Sequence, residues 1–255
     1  MQIGVEVVDD VERFAQMRSE WDALLERCPG AHVFLSWEWL YSWWTHLRGG
    51  RRLHLAAVRR GGELVGLAPL ALKPGVLGWL LPRMEMLGTG VVGSDYLDFL
   101  ARADAVPEVH AALAAHLAGL RTVLDLRQLP AQGSHGQAVA ALLQPRGWRW
   151  SSRHADVCPF VKLDGHTWDS YLATLPYAHR ANVRKRLRKL EQRGGAFEIV
   201  STEEGRRAAL AALFHLHQER WRERGGSQAF DSPEVYAFHQ DVTRRLLERG
   251  WLRLG

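Results

Sequence analysis

The chain has 255 residues, 47% hydrophobic and 24% charged, with a net charge of +5 and a pI near 9.5. This composition is ordinary for a globular protein, and the positive balance favours anionic partners such as nucleic acid or phosphorylated cofactors. Its two cysteines, Cys28 and Cys158, lie far apart, which argues against a disulfide framework or a cysteine-type zinc site. A reducing compartment fits best.

The N-terminus has acidic residues and no basic start before an apolar run, so we predict no secretory signal and a cytoplasmic protein. Residues 64–82 are almost entirely apolar and about as long as a membrane span, but two prolines and three glycines interrupt them. A spanning helix tolerates so many breakers poorly. We therefore predict a strand, a turn and a second apolar segment here, and no membrane span.

Two helices are predicted near the N-terminus. The first begins after Asp9 and ends near residue 30, and Ser36 is expected to cap the second, WEWLYSWWTHL. Its four tryptophans are interpreted either as packing residues or, at Trp37 and Trp44, as a stacking wall for a substrate ring. The residues that the first helix is expected to bury are Phe14, Met17, Trp21, Leu24 and Leu25.

The next part of the chain alternates strands with helices. Its clearest feature is a hairpin, in which Gly61 and Gly62 supply the turn between LHLAAV and LVGLAPLAL. This alternation predicts a mixed sheet in an α/β or α+β domain. The predicted strands lie at 84–88, 96–100 and 122–126, the predicted helices at 104–117 and 134–143, and a β-rich segment at 147–163.

Helices dominate the sequence after Leu163. A helix through Trp168 is followed by the basic helix, a strand at 197–200 and two amphipathic helices, the last opening near Asp231 and Pro233. The ending GWLRLG resembles the start of a strand, so we expect a truncated product or fragment. The apolar faces of the last two helices are predicted to consist of Leu210, Leu213, Phe214, His217 and Trp221, and of Val235, Phe238, Val242 and Leu246.

The basic helix is the stretch HRANVRKRLRKLEQRGG, residues 179–195, with seven Lys or Arg and one Glu. Val183, Leu187 and Leu190 share one face, and the basic residues fill the others. Two interpretations stay open at this point: a solvated helix surface, or a surface that recognises phosphate on a nucleotide-like ligand or on RNA.

The most unusual polar cluster is GSDYLDF, which places Asp95, Tyr96 and Asp98 at the entry to a predicted strand. A carboxylate there could accept a proton from an attacking amine or orient it, or Asp95 could cap the turn while Asp98 faces solvent. His217 is interpreted as a packing residue, and no histidine spacing predicts a metal site. We identify no glycine-rich phosphate loop of the P-loop or dinucleotide type, no His-Glu-x-x-His and no Gly-x-Ser-x-Gly.

Five stretches, in this order, together resemble the GNAT-fold acyltransferases of the CelD and BioF2-like type: HVFLSWEWLYSWW, LVGLAPL, GSDYLDF, WDSYLATLPYAHRANVRKRLRKLEQRGG and LFHLHQERW. Those proteins are related to the FemAB peptidyltransferases, which build two GNAT-like domains in tandem. The resemblance implies an α/β (mixed α+β) fold, with a mixed sheet flanked by helices in a first GNAT-like domain at 1–163. An incomplete second GNAT-like domain would occupy 164–255.

The activity that this resemblance implies is transfer of an acyl group from acetyl-CoA or another acyl-CoA to an amine or hydroxyl acceptor. Exopolysaccharide or cell-envelope biosynthesis is the usual setting, with a small-molecule or glycan-linked acceptor. The alternatives are an aminoacyl-tRNA donor, as in FemAB proteins, or a non-catalytic ligand-binding module. DNA is not an expected partner.

The resemblance also assigns roles. Asp95 and Asp98 are the catalytic candidates. His179 departs from the pattern, which has a lysine or arginine nearby, and we find no Arg/Gln-x-x-Gly-x-Gly/Ala turn for acyl-CoA. Including the two tryptophans above, the substrate-binding candidates are Tyr96, Trp37, Trp44, His217, Arg220 and Trp221, and the phosphate- or cofactor-binding candidates are Arg180, Asn182, Arg184 and Lys185.

Overall fold

The computed structural model describes residues 2–75, 78–222, 230 and 232–255. Its sheet has the strand order β1-β2-β3-β4-β6, and the short β5 pairs with β3. All pairings are antiparallel except that of β4 with β6, which is parallel. The strands are β1 (Ile3–Val8), β2 (Arg52–Arg60), β3 (Glu63–Gly75), β4 (Gly78–Met86), β5 (Leu100–Ala101) and β6 (Val123–Asp125).

Helices flank this sheet, so the predicted mixed α/β fold is confirmed. The helices in the described residues are α1 (Val11–Gln16), α2 (Arg18–Leu25), α3 (Trp37–Leu47), α4 (Val106–Ala118), α5 (His135–Leu143), α6 (Trp168–Thr174), α7 (Tyr177–Gln192), α8 (Glu203–Arg222) and α9 (Pro233–Glu248). None of the described helices is long and apolar enough to cross a membrane.

Local signals located several elements correctly. Ser36 and Ser134 cap α3 and α5 by accepting a hydrogen bond from the backbone N–H three residues on, and Ser232 caps α9 in the same way; Asp231 lies outside the described residues. The hairpin turn is confirmed, with φ of +60° and +90° at Gly61 and Gly62. The predicted first helix is divided into α1 and α2, and its N-cap is Asp10.

Several strand predictions were wrong. Strand β1 was not predicted, and of 96–100 only Leu100 belongs to a strand, because the preceding residues form a turn with φ of +55° at Tyr96. Residues 151–163 are described, exposed throughout and without helix or strand, since no neighbouring strand accepts their hydrogen bonds. Residues 197–200 likewise form no strand in the described chain, although the Val200 N–H donates to the Leu254 carbonyl at 2.8 Å.

Helix α9 packs on α3 and joins the core of the sheet, where Phe238 is 0% and Val242 is 1% exposed. Polar contacts accompany this packing: Ser42 donates to Asp241 at 2.9 Å, and Arg249 pairs with Asp22 at 2.6 Å. The core therefore contains residues from both predicted domains, 1–163 and 164–255. That division of the chain stays a prediction.

Helix α7 differs from α9. None of its residues, all of them described, is buried, and Leu187 and Leu190 are 40% and 50% exposed. Two members of its apolar stripe thus face solvent, and the third, Val183, is partly buried. The amphipathic pattern of the basic helix is confirmed.

Two histidines connect β2 to α4. The ring nitrogens of His54 and His116 lie 2.9 Å apart, so one ring must donate and the other accept. Burial first and then His116 lower the pKa of His54 from 6.5 to about 4, against a smaller opposing effect of Asp9. Burial also lowers the pKa of His116.

We expect acid to weaken the fold through this pair. Between about pH 6.5 and pH 4 the unfolded chain binds more protons at His54 than the folded chain, so the free energy of unfolding falls as the pH falls. The variant His54→Gln, whose side chain does not titrate, should flatten the profile of thermal midpoint against pH in this range. The exposed His154→Gln is the matched control and should leave the wild-type slope; equal slopes in all three proteins would contradict the account.

Candidate functional site

The candidate site lies where the parallel strands β4 and β6 end at the same edge of the sheet. The two strands are in register from Arg83–Val123 to Glu85–Asp125. Ligands in α/β sheets commonly bind at the carboxyl ends of such strands. Here the loop after β4 carries GSDYLDF, and the loop after β6 leads to α5.

The loop after β4 is glycine-rich and runs from residue 88 to residue 96; we call it the glycine loop. Gly88, Gly90 and Gly93 have φ of +87°, +110° and +69°, and their spacing is G-x-G-x-x-G. The sequence analysis did not identify this pattern, and the dinucleotide-type loop that it excluded requires a helix directly after the glycines. The spacing was a usable signal, but the loop leads into a turn and not into a helix.

Glu85, near the end of β4, occupies the first position of a stretch with the spacing of the acyl-CoA turn, which we did not find in the sequence. Residues 85–90 have the spacing of Arg/Gln-x-x-Gly-x-Gly, with glutamate in the first position. Its buried carboxylate pairs with Arg51 at 3.0 Å and lies 3.7 Å from Lys73. Cations of the chain thus already neutralise this charge.

Two tryptophans of α3 donate hydrogen bonds to the glycine loop and hold it in place. The Trp43 indole donates to the Thr89 carbonyl at 3.1 Å, and the Trp39 indole donates to the Ser94 hydroxyl at 2.9 Å. A Cβ on Gly88 would lie 3.1 Å from Leu40, closer than an ordinary contact, and the φ of +87° also disfavours a side chain there. The position of this loop is set by α3.

The sequence interpretations placed Asp98 either as a carboxylate that a substrate amine reaches or as one that faces solvent. In the structure its carboxylate is buried. It is 6% exposed, and its carboxylate accepts hydrogen bonds from the Ser134 hydroxyl at 3.1 Å and from the backbone N–H groups of His135 and Gly136 at 2.8 and 2.7 Å. It also accepts from the N–H of Phe99 at 2.8 Å. The carboxylate therefore binds the N-terminus of α5 and joins the two loops of the site.

Gly136 shows how closely these loops meet. A Cβ at this position would lie 3.1 Å from Leu126, 3.2 Å from Leu129 and 3.3 Å from the Asp98 carboxylate. Next to it, the His135 ring lies 2.8 Å from the His110 ring of α4. Burial and, to a smaller extent, His135 lower the pKa of His110, whereas the charge of Asp98 raises it. His110 is thus favoured in its neutral form.

Asp95 and Tyr96 are accessible to solvent, whereas Asp98 is buried. Asp95 is partly exposed and Tyr96 is 39% exposed. The His32 ring lies 3.1 Å from the Tyr96 carbonyl, and Cys158 of the exposed 151–163 segment lies 3.8 Å from the Asp95 carboxylate. Burial lowers the pKa of His32, although Asp95 and Asp98 oppose this. Of the two carboxylates predicted to be catalytic, Asp95 is the one that a substrate can reach.

Trp37 and Trp44 are both 4% exposed. Tyr41 stacks on Trp37 at 4.5 Å between ring centroids, and Arg18 and Arg245 lie over the same ring at 5.3 and 5.2 Å. The packing interpretation of these rings agrees with their positions. The stacking wall for a substrate stays a prediction, and it would require both rings to become exposed.

The predicted phosphate-binding residues lie on α7. Asn182, Arg184 and Lys185 are exposed, and Arg180 is partly exposed. None of the six Lys and Arg residues of α7 forms an ion pair with any residue that the structure describes. The described residues also show no hydrogen bond between α7 and the glycine loop. Among the described residues, the structure therefore shows no polar contact between these residues and Asp95.

The predicted residues on α8 belong to an aromatic cluster. The His217 ring lies 4.6 Å from Phe230 and 6.2 Å from Trp221, and Phe230 lies 5.0 Å from His239 of α9. Arg220 is exposed on the same helix. Burial lowers the pKa of His239 to about 4, so this ring is neutral at physiological pH. Among the described residues, no group of three or more His, Cys, Asp or Glu could hold a metal ion.

A comparison with protein families adds one finding. Residues 178–255 match the model of an acetyltransferase (GNAT) domain. The match covers nearly all of α7 and the whole of α8 and α9, and so it includes the candidate residues on those helices. No curated protein matches the chain.

We expect Asp98→Ala to lower the free energy of unfolding by about 2–4 kcal/mol, because three donors at the N-terminus of α5 and the N–H of Phe99 would lose their acceptor. Urea unfolding with an unchanged m value measures this loss. Asp95→Ala, at a partly exposed carboxylate, is the matched control and should change the value by about 0.5 kcal/mol or less. Similar stabilities for the two variants would show that the Asp98 contacts do not stabilise the site.

Proposed function

We propose that the protein is an acyltransferase of the GNAT type that moves an acyl group from acyl-CoA to an amine or hydroxyl acceptor. The observation that carries this proposal is the match of residues 178–255 to an acetyltransferase (GNAT) domain. The mixed sheet, with its glycine loop at the ends of parallel strands, supports it. A small-molecule or glycan-linked acceptor, cell-envelope or exopolysaccharide biosynthesis and a cytoplasmic location are part of the proposal.

In this proposal Asp95 is the catalytic residue. The acceptor nitrogen or oxygen attacks the thioester carbonyl carbon and forms a bond to it, and the carbon–sulfur bond breaks so that CoA leaves as its thiolate. The Asp95 carboxylate takes the proton that the acceptor loses. Burial, Cys158 and Asp95 raise the pKa of the Tyr96 phenol, so it stays protonated. Its O–H donates to the Cys158 carbonyl at 3.4 Å in the structure and would turn from there to donate to the substrate. Asp98 takes no proton in this mechanism, because the backbone of α5 occupies its carboxylate.

Acyl-CoA supplies the activated thioester and three phosphate groups. The chain offers two surfaces that fit phosphate: α7, whose six cations have no ion-pair partner among the described residues, and the glycine loop, with open space around Gly90 and Gly93. We assign binding of the acyl-CoA phosphates to Arg180, Arg184 and Lys185 of α7. Asn182 would donate a further hydrogen bond to them. Substrate contacts are assigned to Tyr96, His217, Arg220 and Trp221.

The second candidate function keeps the fold and changes the donor to aminoacyl-tRNA. It is favoured by the length of the basic surface, because Arg180, Arg184 and Arg188 follow each other at intervals of one helical turn, about 6 Å. A surface of this length could contact several phosphates of one RNA strand. Binding without turnover would instead indicate a non-catalytic ligand-binding module.

The first test is the role of Asp95. We expect Asp95→Asn to lower the release of CoA from acetyl-CoA, measured against a panel of amine and hydroxyl acceptors, by about 100-fold or more. The thermal midpoint should not change. Asp164→Asn, at an exposed carboxylate outside the site, should keep full activity. Equal turnover in the wild type and Asp95→Asn would rule out the carboxylate as the proton acceptor.

The second test addresses α7. Charge reversal at two exposed cations, Arg184→Glu with Lys185→Glu, should weaken acetyl-CoA binding about 10-fold or more and reduce its dependence on salt. A variant with the same change in net charge, Arg121→Glu with Arg207→Glu, lies outside α7 and should bind as the wild type does. Equal weakening in both double variants would mean that only the net charge matters and that α7 is not the phosphate site.

A further inference from the structure

Trp39 lies between the two parts of the chain that carry the candidate residues. Its ring is 8% exposed and packs edge-to-face against Phe34 at 4.8 Å and against Phe238 of α9 at 5.1 Å. Its indole N–H donates to the Ser94 hydroxyl at 2.9 Å. One side chain thus contacts both α9 and the glycine loop.

Ser94 is well placed to transmit the position of Trp39. It is 0% exposed and directly precedes Asp95 and Tyr96. Its hydroxyl also lies 3.3 Å from the point where a Cβ on Gly88 would stand, so it lies close to the start of the glycine loop as well. A shift of the indole would therefore move or release both ends of the loop.

Phe238 is fixed by α9, which polar contacts hold against the first part of the chain. Asp241, one turn further on, accepts from Ser42 at 2.9 Å, and its carboxylate lies 3.5 Å from His46. Helix α9 belongs to the part of the chain that matches the GNAT domain, whereas the glycine loop does not. The contact of Trp39 with Phe238 connects the two.

We propose that Trp39 is a positioning residue, which couples α9 to the glycine loop and thereby holds Asp95 in place for acyl transfer. This inference rests on the proposed function. It assigns to a tryptophan of α3 a role distinct from general packing and from stacking on a substrate. The aromatic ring sets the distance to α9, and the indole N–H sets the position of Ser94.

The variant Trp39→Phe tests the hydrogen bond. It keeps an apolar ring against Phe238 and removes the donor to Ser94. The matched control is Trp21→Phe, because Trp21 is 0% exposed and donates a similar bond, 2.9 Å long, to the Leu35 carbonyl. We expect amide hydrogen exchange in residues 88–96 to become about 5- to 10-fold faster in Trp39→Phe, relative to amides of β2 and β3, and to stay unchanged in Trp21→Phe.

A second pair of variants tests the coupling to α9. Phe238→Leu should also speed exchange in residues 88–96, whereas Val242→Ala, at a buried residue of the same helix, should not. Exchange does not depend on activity, so this result stands even if acyl transfer is not found. Unchanged exchange in Trp39→Phe or Phe238→Leu would overturn the inference.

Kinetics separate positioning from stability. If transfer is found, Trp39→Phe should lower kcat more than it changes the KM for acetyl-CoA, while Trp21→Phe should leave both near the wild-type values at a temperature where each variant is folded. Equal kinetic effects of the two variants would show that Trp39 acts only through stability and would contradict a positioning role.

Discussion

A buried indole N–H needs an acceptor, and this requirement organises the first part of the chain. Trp21 donates to the Leu35 carbonyl, Trp37 to the Phe14 carbonyl and Trp43 to the Thr89 carbonyl, while Trp39 donates to the Ser94 hydroxyl. Each bond joins segments that are distant in sequence. Three of the four tryptophans of α3, Trp37, Trp39 and Trp43, therefore do more than fill volume: their rings build the core, and their N–H groups fix the segments around it. The exception is Trp44, whose buried indole N–H has no acceptor among the described residues.

These hydrogen bonds help to set the geometry of the candidate site. The glycine loop is tied to α3 on one side, and Asp98 ties the residues that follow it to α5 on the other. Between the two anchors the backbone turns through positive φ at Tyr96, which exposes that side chain and leaves Asp95 accessible. In the proposed mechanism this accessible carboxylate takes the proton from the attacking acceptor. In contrast, α7 contributes charge and little packing.

Short-range patterns in the sequence were sufficient to predict α3, α5, α9 and the β2–β3 hairpin. Their signals are local: a serine cap, an apolar period near 3.6, or a pair of glycines. The strand predicted at 96–100 failed because Asp98 binds groups 36 to 38 residues further along the chain, and no local pattern reports such a partner. The bond of Trp39 to Ser94 spans 55 residues and was hidden for the same reason.

The sequence singled out Asp95, Tyr96 and Asp98 together, and the roles assigned to them stay a proposal. Their burial differs, which the sequence does not reveal. The glycine loop could have been found from its spacing. The contribution of α9 could not, because Phe238 lies on an ordinary apolar stripe, and only tertiary packing brings it against Trp39.

The most direct test of the acyl-CoA proposal is a calorimetric titration of the purified chain with acetyl-CoA, with deacylated tRNA titrated in parallel at the same salt concentration. The account predicts saturable binding of acetyl-CoA at one site per chain. Binding of tRNA together with no detectable binding of acetyl-CoA would contradict it and would make aminoacyl-tRNA the donor.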